Sequence, residues 1–130
     1  MLWSLLHVAH VLEDRLEGAL SEVGLSAAKY GVLSELVKAE QPLPLSELAA
    51  RISCVRSNIT QLVDRLEADG LVKRVDDPAD RRSVRASLTS QGKERQSAGA
   101  ERVAVLQKEI ADSVPGADRS ALQRALSSLG

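Results

Sequence analysis

The stretch Asp76-Asp77-Pro78-Ala79-Asp80-Arg81-Arg82-Ser83-Val84-Arg85-Ala86-Ser87-Leu88-Thr89 constrains the fold more than any other part of this chain. Val84, Ala86 and Leu88 alternate with Ser83, Arg85 and Ser87, which is the two-residue period of a strand with one buried face. Pro78 marks a turn, Leu71 and Val72 end the preceding apolar segment, and Lys73 and Arg74 add positive charge along the incoming strand. The expected element is a two-stranded hairpin whose tip carries cations and almost nothing apolar, a shape suited to a groove lined by phosphates. Taken alone, the same residues also describe a solvated basic loop.

The upstream residues decide between these readings. Leu45 to Ile52 is expected to form a short helix opened by Ser46 as a cap, with Leu48, Ala49 and Ile52 on one face. A turn through Ser53, Cys54 and Val55 follows. Arg56 to Asp69 then forms a second helix, with Ile59, Leu62, Val63 and Leu66 in one stripe and Gly70 as its stop. Helix, turn, helix and hairpin follow one another without interruption.

At about one hundred degrees per residue, the side of the second helix opposite its apolar stripe shows Ser57, Gln61, Asp64 and Ala68, flanked by Thr60 and Arg65. Its N-terminal half is small and rich in hydrogen-bonding groups. Base edges in a major groove require such groups: amides for adenine, hydroxyls for several partners and Arg for guanine. Asp64 fits least, since a carboxylate repels phosphate unless it accepts from cytosine or pairs with Arg65.

From Leu45 through Gly92 these residues resemble the MarR family of bacterial transcription regulators. The match lies in Leu48-Ala49, in Leu62-Val63-Asp64-Arg65-Leu66-Glu67 ahead of Gly70-Leu71-Val72, in Asp80-Arg81-Arg82, and in Leu88-Thr89 before Gln91-Gly92. The resemblance implies a mainly α fold with a small β-hairpin wing, that is, a winged helix-turn-helix with N- and C-terminal dimerisation helices. It also implies a homodimer on double-stranded DNA, with a recognition helix in each major groove and a wing arginine in the neighbouring minor groove. By position Arg82 is that arginine, and Asp80 its orienting carboxylate. An arginine in a narrow minor groove meets enhanced negative potential, and a nearby carboxylate presets its fork. The candidate DNA contacts are Ser46, Arg56, Ser57, Asn58, Thr60, Gln61, Arg65, Lys73, Arg74, Asp80, Arg81 and Arg82. The turn departs from the family pattern by holding Cys54-Val55 where Ser or Thr is frequent, which leaves Ser53 or Ser57 to cap the recognition helix. The first helix begins almost at Met1, so the amino-terminal region is short.

The formal charge of -1 becomes compatible with DNA once it is divided along the chain. Residues 1 to 45 carry 3 basic and 6 acidic side chains, residues 46 to 95 carry 10 and 8, and residues 96 to 130 carry 4 and 4. Phosphate contacts depend on local placement, so the positive middle third predicts specific binding that weakens as salt rises. With 44% hydrophobic and only 2% aromatic residues, the core is expected to be aliphatic. A chain of 130 residues suits one domain: residues 26 to 89 as the reading lobe, residues 1 to 25 and 90 to 130 as dimerisation helices.

The expected dimerisation seams are Leu2, Leu5, Ala9, Leu12, Leu16 and Ala19 at the amino end. At the carboxyl end, Val103, Leu106 and Ile110 line a helix from Ser90 to about Ser113. Pro115 breaks that helix, and Leu122, Leu126 and Leu129 follow on a final one. A middle module of roughly fifty residues does not cover three such helices, so a second copy is the economical cover.

The resemblance further implies an effector, a small phenolic or other apolar anion between the dimerisation helices and the reading lobes, and makes the chain a repressor, occasionally an activator. The candidates are Trp3, His7, His10, Arg15 and Tyr30, of which Tyr30 also reads as core and Trp3 as a dimer contact. His7 and His10 lack the third and fourth ligands of a zinc site, so no metal and no cofactor are expected. Cys54, between Ile52 and Val55, reads as a structural thiol, although oxidation just before the recognition helix would disturb docking. One cysteine, no leader-like segment and no apolar run near the roughly 20 residues of a membrane span point to the cytoplasm and no membrane. No catalytic constellation is apparent. The remaining alternative is a winged helix that meets a partner protein, a role that calls for exposed leucines or aromatics on the outer helix face, where this chain is polar.

Overall fold

The computed structural model describes residues 1–54 and 56–130, the side chains of residues 56, 57 and 81 excepted. The elements are α1 (Leu2–Ser21), α2 (Ala27–Ala39), β1 (Leu43–Pro44), α3 (Leu45–Arg51), α4 (Arg56–Ala68), β2 (Val72–Asp77), β3 (Asp80–Leu88), α5 (Ser90–Ser113), a single 3-10 turn (Gly116–Asp118) and α6 (Arg119–Leu129). The mainly helical winged fold expected from the residues is thus present.

Local chemistry sets most boundaries. Ser26 caps α2 by accepting from Lys29 N at 3.1 Å, and Thr89 caps α5 by accepting from Gly92 N at 3.0 Å. Gly70, at φ +78°, ends α4 in the left-handed conformation that glycine adopts without a Cβ penalty. Leu71 N then bonds back to Leu66 O at 2.9 Å. Pro115 follows the end of α5 and opens the 3-10 turn.

The strands form one antiparallel sheet in the order β1-β3-β2. The two-residue β1 is an addition to the expected hairpin: Leu43 pairs with Ala86 and Pro44 with Arg85. This strand also corrects the start of α3. Ser46 lies inside the helix, Pro44 occupies the N-cap position, and no side chain caps it. Pairing with β3 carries the backbone directly from strand into helix, and Pro44, with φ fixed near the helical range, delivers it.

The core is aliphatic. Leu20, Val32, Leu33, Leu48, Ile59, Val63, Leu66, Leu71 and Ala86 are fully buried, and among the described residues no polar side chain is. Ile59, Val63 and Leu66 fix the inward face of α4 and leave its opposite face to solvent. Each large aliphatic side chain buried this way contributes about 1.5–3 kcal/mol. α1 packs on α5, where Leu106 is buried and Val103 and Leu16 are half-buried against the core. α6 has no such cover: every one of its residues is exposed. The first half of α1 is apolar on more sides than the expected seam, since Trp3, Leu6, Val8 and Val11 are exposed beside it.

Candidate nucleic-acid interface

The outward face of α4 carries Asn58, Thr60, Gln61, Asp64 and Arg65, all exposed. Among the described residues, Asn58, Gln61 and Arg65 make no side-chain hydrogen bond or ion pair. Their amide and guanidinium groups are available to a partner. The expected contacts of the Arg56, Ser57 and Arg81 side chains, and the cap of α4, lie outside the described residues.

The wing is built by its acids. Asp77 accepts from Ala79 N at 2.9 Å, which forms the turn, and its other oxygen takes Arg85 Nη2 at 3.1 Å. The Ala79 amide first and the Arg85 guanidinium second hold the Asp77 carboxyl below the usual carboxylate range, against partial burial. Asp76 pairs with Val84 and Asp77 with Asp80, so a bulge places residues 81–83 outside the strand register. Arg82 therefore projects from the tip, exposed and with no side-chain partner among the described residues. Asp80 meets Arg82 differently from expectation: its carboxylate accepts from the Arg82 backbone N–H at 2.9 Å and so orients the main chain, with no ion pair to the guanidinium among the described residues.

Two expectations for cations change. Lys73 is exposed, but Arg74 is engaged inside the protein. Its guanidinium pairs with Asp64 and with Glu67 Oε1 at 3.0 Å, and it donates to the carbonyl of Thr60 at 3.3 Å. Asp64 thus finds its counter-charge in Arg74 on β2, not in neighbouring Arg65. Adjacent residues on a helix point apart, whereas β2 passes beside α4. Glu67, absent from the sequence-based set, belongs to this cluster. Periodicity carries no signal for a pair that spans the Gly70 turn.

The expected effector residues do not converge. Trp3, His7 and His10 are exposed on α1, and His10 faces Asp14 at 3.4 Å. Arg15 pairs with Glu109 at 3.2 Å and, together with Arg102 and Glu22, lines a groove of about 300 Å³ between α1 and α5. Tyr30 lies apart, packed on the core and against Gly99. Among the described residues no three His, Cys, Asp or Glu side chains cluster as metal ligands. Cys54 is half-buried, with its backbone N–H on Ala49 O at 2.8 Å. No helix among the described residues is long and apolar enough to cross a membrane.

A helix-turn-helix pair followed by a bulged, arginine-tipped hairpin defines a winged helix-turn-helix protein. Residues 25–84 match the MarR family. A solved structure of Sco3205, a MarR family transcriptional regulator from Streptomyces coelicolor in complex with DNA, is 30% identical over 98% of this chain and 82% of its own, with a TM-score of 0.85. The chain belongs to the MarR family of transcription regulators. A MarR mutant from Escherichia coli complexed with operator DNA superposes with a TM-score of 0.84 at 25% identity, covering 98% of this chain and 92% of that one. Among curated relatives, the transcriptional regulator PrsX of Escherichia coli is 39% identical over 62% of this chain and 49% of that protein. The chain spans about half the length of the curated relatives it matches.

Proposed function

We propose that this chain is a DNA-binding transcriptional regulator, a homodimeric repressor that grips a palindromic operator and is released by a small effector. The observation that carries the reading is the outward face of α4, where Asn58, Gln61 and Arg65 stand exposed without side-chain partners among the described residues. On the wing, a bulge sets the exposed Arg82 outside the strand register. Amides and guanidinium on a helix suit base edges, and a projecting arginine suits a minor groove. Lys73, Arg56 and Arg81 supply phosphate contacts in this reading, and Ser46, Ser57 and Thr60 supply hydroxyls. That two structural relatives were solved on DNA supports it.

The uncovered apolar ends support the dimer. Trp3, Leu6, Leu126 and Leu129 are at least half exposed, and an apolar groove lined by Ile110, Ala111, Val114 and Leu122 runs between α5 and α6. A second copy buries them. Two-fold symmetry then sets the two α4 helices one or two turns of duplex apart. In this reading residues 1–25 and 90–130 serve dimerisation and 26–89 read DNA. The α1–α5 groove, where Arg15 pairs with Glu109 and Arg102 with Glu22, is the proposed effector entry, an anionic effector there competing with the two glutamates.

Gel retardation with the stretch bordering the protein's own coding frame, followed by selection from random duplexes, tests the reading. The expected result is a retarded palindrome whose binding weakens with salt. Failure to retard every fragment rejects it.

A further inference from the structure

We infer that Arg74 is a positioning residue that fastens the wing to α4 and thereby sets which base edges the helix reads. The inference rests on the DNA-binding reading above. The sheet order leaves one side of β2 without a neighbouring strand. On that open edge the backbone N–H of Arg74 donates to Glu67 Oε2 at 2.8 Å. Its side chain turns back to the same helix, with Nη1 on Glu67 Oε1 at 3.0 Å and Nη2 on the carbonyl of Thr60 at 3.3 Å and on the carboxylate of Asp64. Residues 60, 64 and 67 form one stripe of α4, at steps of four and three. A single residue of the wing thus holds nearly two turns of the helix that carries Asn58 and Gln61.

Charge supports the same role. Asp64 and Glu67 would otherwise set two carboxylates on a helix meant to approach phosphates. Arg74, at 27% side-chain exposure, contacts both and offsets one of the two negative charges. An arginine whose donors are already engaged by α4 differs from a phosphate contact in a measurable way. Loss of a phosphate contact lowers the slope of log affinity against log salt by about 0.9 and weakens binding to all sequences alike. Loss of a positioning residue leaves that slope in place and blurs the base preferences of the helix.

The experiment compares Arg74→Gln with the parent dimer by salt titration and by selection from random duplexes. It repeats the comparison in an Asp64→Asn/Glu67→Gln background. The expected result is an unchanged slope and roughly tenfold poorer discrimination at the positions read by α4, about 1.4 kcal/mol. That loss should largely disappear in the second background, because the partners act as a unit. A slope lowered by one contact with base preferences intact overturns the inference, as does an additive result in the cycle. If Arg74→Gln does not fold, Arg74→Lys serves: the ammonium keeps the charge without the planar fork, so the same loss of discrimination is expected and full discrimination overturns the role. A parent that retards no duplex rejects the DNA-binding reading itself and this inference with it, whereas the failures above reject only the role of Arg74.

Discussion

Gly92 in the first turn of α5 lies so close to Leu71 that a Cβ on it would overlap the Leu71 carbonyl oxygen and come within 2.8 Å of Leu88 Cδ1. Thr89 draws the two together. Its N–H donates to Leu71 O at 3.1 Å, and its hydroxyl donates to Gly70 O at 2.7 Å. The junction between the α4–β2 turn and α5 is therefore closed by backbone, which does not yield as a side chain end does. Overpacking costs about 1–3 kcal/mol, and better helix propensity returns at most about 1. Gly92→Ala should lower stability by about 1–2 kcal/mol in urea unfolding; a midpoint equal to the parent's contradicts the packing.

Arg82 has no internal partner among the described residues, so its loss should cost DNA affinity without costing the fold. Arg82→Ala is expected to bind roughly tenfold more weakly, about 1.4 kcal/mol, and to lose any preference for A·T-rich flanks. Melting should match the parent. Equal affinity in fluorescence anisotropy removes the wing from the mechanism.

Gln61 and Asn58 are exposed on α4, and in the proposed reading they meet base edges, where each good pair discriminates by about 1–3 kcal/mol. Gln61→Ala should relax one operator position per half-site and leave the salt slope as it was. A uniform loss over all positions, read by selection and sequencing, speaks for a backbone contact instead.

The Asp77 carboxyl is depressed by the Ala79 amide and by Arg85. A depressed folded value means that its stabilisation is complete above the ordinary Asp value of about 3.9 and fades as pH falls through the lower folded value. Wing order should therefore hold from neutral pH to about 4 and decline only below it. Carboxyl-carbon NMR is expected to show an Asp77 midpoint under the ordinary value; one at or above it excludes the turn described here.

Leu126 and Leu129 are half or more exposed on a helix that packs on little else. Leu126→Glu/Leu129→Glu should shift sedimentation toward the 13.9 kDa monomer with helix content retained. A dimer that persists moves the interface elsewhere.

The helix, turn, helix and hairpin were legible in the residues because their signals are local. The stripe of Ile59, Leu62, Val63 and Leu66, the stop at Gly70, the alternation from Val84 to Leu88 and the break at Pro115 all act within a turn or a strand period. The exposed amides of α4 follow from that stripe, since burying one face of a helix presents the other.

Only the tertiary structure decided the pairings. β1 is two residues long, too short for any period, and exists because Leu43 meets Ala86 more than forty residues later. That meeting also displaced Ser46 from the cap. Arg74 read as one more cation until β2 was laid beside α4, where Asp64 and Glu67 claim it. Tyr30 read as core more readily than as a ligand contact, and its ring indeed packs on the core, but its neighbour Gly99, almost seventy residues away, was not legible. Periodicity tells a side chain which face it shares, whereas its partner depends on which distant segment chain folding brings within a few ångströms.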